Sequence, residues 1–459
     1  MEALNLIGGR WSPAGATMDG HNPSTGAVIV TAARSGAAEV DDAVAAAADA
    51  AQAWASTPGP ARGDVLFRAA ELVARDAKAL VDSVVEEVGK PVVEARGEVA
   101  RTAAILRYFG GEGRRAGGAV VPSDGAELTL TLRQSVGMTA LITPWNFPLA
   151  IPAWKLGPAL VSGNTVVLKP AEQATRTATM LVQLLVEAGL PPGVLNVVLG
   201  DAVAGRALVE HPTVRAISFT GSGAAGAAVR VAAAERGVRV QVEMGGKNIA
   251  VVLGDADLER AAADVAAGAF AFAGQKCTAT GLCLVEQPVA AAFADLLGAA
   301  TRRIVVGSPF DEATVCGPVI DLAAVERAVA AGASVAPAGA NFVAPQVVPD
   351  AALDAPIARE ELFTPVLPVA SIDTLDDAIA VAASLPTGLS AALHSDHAPS
   401  VLTFLRRMPA GVLAVNRPTT GLAVQAPFGG LKASGSEHKE QGPTAVDFYT
   451  DVKTAYWTT

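Results

Sequence analysis

Residues 274–280 read GQKCTAT and set one cysteine, Cys277, three positions after a flexible glycine and beside Lys276. A thiolate in an open, polar setting is a nucleophile for a carbonyl carbon, whereas a thiol packed among apolar neighbours is inert. The stretch alone leaves both readings open. A second stretch, 221-GSGAAG-226, follows the β-rich run AISFT and fits G-x-G-x-x-G. That spacing lets a strand-to-helix turn offer free backbone N–H groups to a pyrophosphate. Glu243 follows at about the distance where a dinucleotide fold places its ribose-binding acid. The turn after it, 244-MGGK-247, also allows its carboxylate to line a cleft as a general base.

These groups need a scaffold, and the hydrophobic pattern describes one. Apolar residues return every three or four positions from Val40 to about Gly110, as in 62-RGDVLFRAAELVARDAKALVDSVVEEVG-89, which predicts a helical layer. After glycine-rich 110–118, the alternation in 119-AVVPSDGAELTLTLRQ-134 around Asp124-Gly125 predicts a hairpin-like arm. Short β-rich runs then alternate with helical ones: TALIT, TVVLKP, LNVVLG, AISFTG and VRVQVE, followed from Met244 by IAVVL, GLCLVE, ATVCGPVI, VLPVAS and GVLAVN. Such alternation predicts parallel sheets covered by helices. The tail 445–459 alternates like an exposed strand and is expected to pair with the 119–134 arm.

A chain of 459 residues is too long for one core, since single cores stop growing near roughly 250–300 residues, so two large domains are expected. The net charge of −11 argues against nucleic acid and anionic membrane surfaces as partners and favours a small molecule. Cys277, Cys283 and Cys316 show neither CxxC nor framework spacing, so neither disulfides nor a metal site is expected, and a reducing cytoplasm fits. The first thirty residues lack a basic start followed by an apolar segment, the pattern of a signal peptide. The uncharged run from Gln134 holds Pro144, Asn146, Pro148 and Pro152, which argues against a membrane span.

Taken together, 143-TPWNFP-148, 169-KPAE-172, 219-FTGS-222, 243-EMGGK-247, 274-GQKC-277, 361-ELFTP-365 and 427-PFGGLK-432 resemble the aldehyde dehydrogenase superfamily, in family order across most of the chain. The resemblance implies an α/β fold with a Rossmann-type dinucleotide-binding domain (1–118 and 136–243), a catalytic α/β domain (244–435) and a small β oligomerisation arm (119–135 and 436–459). It implies a homodimer or homotetramer. Cys277 matches the nucleophile, which passes through a thiohemiacetal and a thioester, and Glu243 the general base. Asn146 matches the oxyanion donor and Lys155 a lysine on the water path. Thr143, Pro144, Trp145, Gly221, Ser222 and Gly245 fall in the cofactor motifs. Lys169 and Glu172 match the adenosine-ribose contacts, and Glu361 and Phe363 the nicotinamide contacts. NAD is expected ahead of NADP, because Glu172 would meet a 2′-phosphate as a like charge.

The C-terminal segments look most like the branch containing α-ketoglutarate semialdehyde dehydrogenases. Such enzymes often place an arginine on the helix after the T-P-W-N-F-P turn. Here that helix carries Trp154, so Arg417, in 416-NRPTTGLAVQAPFGG-430, is the expected cation for a substrate carboxylate. Phe272 departs from the family by standing where asparagine is common. The competing readings are a broad-specificity dehydrogenase for neutral aldehydes, a CoA-acylating enzyme, and a catalytically silent NAD-binding protein.

Overall fold

The apolar periodicity beginning at Val40 becomes four consecutive helices: α1 (Ala37–Ser56), α2 (Gly59–Arg75), α3 (Ala77–Val88) and α4 (Val92–Glu112). Gly89 ends α3 with φ of 68°, where a Cβ would be strained, and Pro91 opens α4. The structure is a computed structural model describing residues 2–115 and 117–458. Met1, Ala116 of the glycine-rich 110–118 segment and Thr459 of the tail lie outside the described residues.

A seven-stranded sheet runs in the order Arg239–Met244, Ala216–Gly221, Thr139–Thr143, Val166–Pro170, Leu195–Val197, Asn5–Ile7, Arg10–Ser12. Its first five strands are parallel, and the N-terminal hairpin adds antiparallel at one edge. The helices α5 (Ala150–Val161), α6 (Thr175–Glu187), α7 (Ala202–Glu210) and α8 (Gly223–Glu235) link the parallel strands. A six-stranded parallel sheet follows: Gln346–Val348, Val366–Ile372, Thr280–Glu286, Asn248–Val252, Ser390–His394 and Val412–Val415. Helix α9 (Leu258–Phe270) packs against it through Ala262, Val265 and Ala269. The central strands, such as Thr139–Thr143, Val166–Pro170 and Asn248–Val252, are nearly continuous apolar runs, as expected of parallel strands buried on both faces.

Thr450–Trp457 pairs antiparallel with Leu128–Ser135, which also holds Val120–Val121, forming a three-stranded arm. Among the described residues of 436–459, only Thr450–Trp457 is an arm strand, and Phe448 and Tyr449 are buried in the main core. One expectation differs. The run 313-ATVCGPVI-320 forms only an isolated bridge, Val306 to Cys316. Pro318 offers no N–H to a ladder, and the chain at Gly317 lies against the Gly89 carbonyl, where a Cβ would not fit. The strands before residue 35 escape the sequence reading because several are only two or three residues long. Among the described residues, no helix is long and apolar enough to cross a membrane.

A buried ion pair joins α4 to the rest. Glu98 pairs with Lys90 and accepts hydrogen bonds from the backbone N–H groups of Leu149 (2.9 Å) and Ala150 (3.1 Å) at the start of α5. Lys90 in turn lies over the Phe147 ring, 3.6 Å from its centroid. Removing one partner of such a pair strands the other charge in the core, which costs about 3–5 kcal/mol. Glu98→Ala is therefore expected to lower the thermal unfolding midpoint by several degrees, and Glu98→Gln, which keeps an oxygen for α5, by less. Equal midpoints for Glu98→Ala and wild type would remove this role.

Candidate active site

Sheet topology sets the site. Strand order reverses between Thr139–Thr143 and Ala216–Gly221, and such a switch point leaves a crevice beyond the carboxyl ends of the strands. Thr143 to Asn146 and Gly221-Ser222 leave those ends side by side, with Lys169 one strand over and Glu243 level with Thr220 on the other flank. The chain then passes from Glu243 through Gly245 and Gly246 directly into Asn248–Val252 of the second sheet. The second sheet thus presents its amino ends to the same crevice, including the start of Thr280–Glu286, just after Cys277. The result is a cavity of about 540 Å³.

Cys277 is held by its neighbours' backbone. Phe272, Ala273 and Gly274 are successive left-handed residues, with φ of 54°, 53° and 70°. Such backbone costs roughly 1 kcal/mol or more at each non-glycine position. Gln275 locks the turn: its side chain donates to Pro318 O (3.1 Å) and accepts from Ile320 N (2.8 Å). Its carbonyl accepts from Asn146 Nδ2 at 2.9 Å, leaving that amide a second N–H. Asn248 Nδ2 holds the carbonyls of Cys277 and Ala279, each at 2.8 Å. Cys277 is partly accessible on the cavity wall, while Cys283 and Cys316 are buried.

Acids surround the thiol. Burial pushes its pKa up to about 12, and Glu361, Glu243 and Glu440 add to the rise. Glu243, 2% exposed, accepts from Gly430 N (3.1 Å) through Oε2, and its Oε1 has no partner among the described residues. Burial, then the charge of Glu440, holds its carboxyl well above the ordinary range. A carboxylate so destabilised takes a proton readily. Lys155 lies beneath, fully buried and outside the cavity lining, paired with Glu440 and donating to Ser218 Oγ at 2.8 Å.

The remaining wall suits a dinucleotide. Ser222 caps α8, leaving the first N–H groups of that helix beside the cavity. A Cβ on Gly245 would collide with the Glu361 carboxylate, so glycine allows close approach there. Glu361 accepts from Gly246 N (3.2 Å), and burial raises its pKa to about 7. Phe363, at φ 55°, packs edge-on against Trp145, 5.8 Å between centroids. Lys169 Nζ donates to the carbonyls of Pro170 (2.8 Å) and Gly200 (2.7 Å), and burial lowers its pKa to about 8. Glu172 and Pro144 complete the lining, and the buried hydroxyls of Thr143 and Thr220 have no partner among the described residues. Unpaired polar atoms around a roomy, glycine-lined cleft fit a polar ligand of dinucleotide size.

The profile of the aldehyde dehydrogenase family matches residues 11–455. The chain belongs to this family. It is 39% identical to the α-ketoglutaric semialdehyde dehydrogenase of Bacillus subtilis (strain 168), over 99% of this chain and 97% of that protein. It is also 39% identical to the α-ketoglutarate semialdehyde dehydrogenase of Haloferax volcanii, over 98% of each. The crystal structure of an NAD-dependent aldehyde dehydrogenase from Sinorhizobium meliloti superposes with a TM-score of 0.96 at 35% identity, covering 100% of this chain and 95% of that one. The protein is thus an oxidoreductase of the aldehyde dehydrogenase fold that oxidises an aldehyde with a nicotinamide dinucleotide.

The dehydrogenase departs from the sequence reading on the substrate side. Trp154 does line the cavity, packed on Phe428 at 5.8 Å, but its Nε1–H lacks an acceptor among the described residues, so the wall is not wholly apolar. Arg417 does not reach the cavity. It is exposed and donates to Gly421 O at 2.6 Å, because the loop folds the guanidinium back on its own backbone. Two contributors were missed: Gln275, which ties the turn before Cys277 to Asn146, and Glu440, which sits in 434-SGSEHKEQG-442 and carries no spacing signal.

The crowding of acids predicts the resting behaviour of the thiol. With its pKa near 12, the thiolate fraction grows tenfold per pH unit through the neutral range. Alkylation of Cys277 by iodoacetamide in the ligand-free enzyme, followed by peptide mass spectrometry, should therefore rise about tenfold per unit between pH 7 and 9. A plateau by pH 8 would show that the thiol is ionised at rest.

Proposed function

We propose that this dehydrogenase oxidises a semialdehyde with a distal carboxylate, of the α-ketoglutarate semialdehyde class, to the dicarboxylic acid, with NAD preferred and water as the acyl acceptor. The observation that carries the reading is the unpaired, buried Oε1 of Glu243 in the same cavity as Cys277. A buried carboxylate oxygen without a partner is costly unless it is used, and here its use is to accept a proton. The names of the Bacillus and Haloferax relatives support the substrate class.

In this mechanism Glu243 takes the Cys277 proton, and the sulfur adds to the aldehyde carbon. The oxygen of the resulting thiohemiacetal is held by the free N–H of Asn146 and the backbone N–H of Cys277, an arrangement worth about 3 kcal/mol per donor. When bound, a nicotinamide dinucleotide supplies the acceptor for the hydride that leaves this carbon. Glu243 first gives up the thiol proton to solvent and, as carboxylate again, deprotonates the water that attacks the thioester; the C–S bond breaks, the sulfur of Cys277 takes a proton back from Glu243, and the acid is released. The Lys155–Glu440 pair keeps charge beneath Glu243 balanced. Glu172 favours ribose hydroxyls over a 2′-phosphate. We further propose that the two sheets mark the cofactor and catalytic domains and that the arm joins two copies of the chain.

NADH absorbance tests the chemistry. We expect NADH from α-ketoglutarate semialdehyde without CoA, no acceleration by CoA, and slower turnover with NADP. Glu243→Gln should lower kcat at least about 100-fold. Dependence on CoA would favour an acylating enzyme, and a variant changed only in KM for NAD would make Glu243 a ribose ligand.

The arm reading has its own measurement. Leu132, Val452, Tyr456 and Trp457 are exposed apolar side chains on paired strands, the last two at 68% and 63%. By the register, Leu132 and Trp457 share one face of the paired strands and Val452 and Tyr456 the other, and apolar exposure on both faces supports an interface there. Sedimentation velocity should show an oligomer for wild type and a smaller species for Leu132→Asp/Tyr456→Asp; a wild-type monomer would sink the assembly.

A further inference from the structure

Lys247 is a charge that the fold carries without using. Its side chain is 5% exposed, and its ammonium donates no hydrogen bond and joins no ion pair among the described residues. Gly281 makes the room for it, since a Cβ there would come within 3.2 Å of Lys247 Cδ. The other buried lysines around the crevice are committed: Lys155 pairs with Glu440, Lys276 with Glu94 and Lys90 with Glu98, while Lys169 donates to two carbonyls. A buried ammonium without a partner weighs against folding. Its retention calls for a ligand-bound state in which the charge is used.

The group that Lys247 stands behind is Glu361. Both residues line two smaller cavities beside the Gly245-Gly246 turn, of about 20 and 320 Å³, and Glu361 alone of the two also lines the main cavity. The turn fixes the acid, because Glu361 accepts from the N–H of Gly246, the residue before Lys247. Other charged or titratable groups border the same cavities: Glu243 and Cys277 in the main one, with Arg327; Lys276, already paired with Glu94, in the smallest; Arg230 and Arg359 in the third. Glu360 is next in the chain. Burial raises the Glu361 pKa, and the Gly246 N–H and the Lys247 charge oppose that rise. In the ligand-free enzyme Glu361 is open to the crevice, so solvent hydrates it. A dinucleotide lying over the carboxylate displaces that solvent, and in the drier setting the charge behind it acts more strongly.

We propose that Lys247 is a positioning residue for the cofactor: its ammonium supplies the counter-charge that keeps Glu361 a carboxylate when a dinucleotide covers it, so that Glu361 accepts hydrogen bonds from the nicotinamide ribose. This rests on the assignment of Glu361 to the nicotinamide half of the cofactor, expected from the 361-ELFTP-365 motif. Lys247 touches neither cofactor nor substrate in this role. It acts through Glu361, across the turn that holds both.

The test measures Kd for NADH by its fluorescence between pH 6 and 9, and the thermal midpoint of the ligand-free enzyme, in wild type, Lys247→Met, Lys247→Arg and Glu361→Gln. Without the counter-charge the Glu361 pKa rises, so the carboxylate is lost at a higher pH and affinity falls with it. Lys247→Met should therefore move the acid limb of the NADH affinity profile up by about one pH unit, weakening NADH about tenfold at pH 6 and little at pH 9. The same variant should raise the thermal midpoint, because a buried unpaired charge is gone. Lys247→Arg, which keeps the charge, should keep the wild-type limb. Glu361→Gln should weaken NADH, flatten the limb and make a further Lys247→Met change silent. A limb that stays in place in Lys247→Met while Glu361→Gln weakens NADH overturns the role of Lys247. If Lys247→Met does not fold, Lys247→Gln, which also removes the charge, decides on the same criterion. NADH affinity unchanged in Glu361→Gln would instead overturn the assignment of Glu361 on which the proposal rests.

Discussion

The Glu98 carboxylate is the point on which the site's geometry depends. A buried anion must be satisfied on every side, and here Lys90 and two α5 N–H groups do so. Those contacts fix where α5 begins, and hence where the preceding turn holds Asn146. Asn146 fixes the carbonyl of Gln275, and Gln275 fixes the left-handed turn before Cys277. One turn of α4 to either side, Glu94 and Arg101 reach Lys276, next to Cys277, and the C-terminal loops. A single face of one helix therefore positions parts of the site separated by more than a hundred residues in sequence.

The electrostatics of the site follow from that rigidity. Glu243, Glu361 and Glu440 all raise the Cys277 pKa, an arrangement that disfavours a standing thiolate. The same crowding raises Glu243 and makes it a better proton acceptor. Thiol and carboxyl thus titrate in one crowded environment, in which a proton acceptor lies nearby but no thiolate charge stands free in advance. Lys155, held between Glu440 and Ser218, limits the acid excess without touching the cavity.

Legibility in the sequence tracked contiguity. Cys277, Asn146 and the glycine turns that line the cavity sit in short runs of glycine, proline and asparagine, whose backbone demands are local, and such runs can be read directly. The parallel sheets were also legible, because strands buried on both faces are apolar throughout. The side chains of α4 were not. Glu94, Glu98 and Arg101 look like the polar stripe of an amphipathic helix, and only the fold reveals that this stripe faces other charges. Arg417 failed for the converse reason. It lies in a loop that reaches the site, but with Gly421 at φ 88° that loop curls so that the guanidinium meets its own carbonyl first.

The double reading of Glu243 has a structural origin. In register with Thr220, it stands at the carboxyl end of the strand after the glycine turn, the position from which a dinucleotide fold offers an acid to ribose. In an open sheet the chain would turn there into another covering helix. Here Gly245 and Gly246 carry it instead into the second sheet, and the loop at Gly429-Gly430 closes over the carboxylate. A Cβ at Gly429 would strike that carboxylate, so the approach depends on glycine. The acid thereby lines the same cavity as Cys277, while Lys169 and Glu172 lie at another strand end on the opposite side of the crevice. The spacing that suggests a ribose ligand and the geometry that supports a base are consequences of the same strand end, separated by where the next few residues lead.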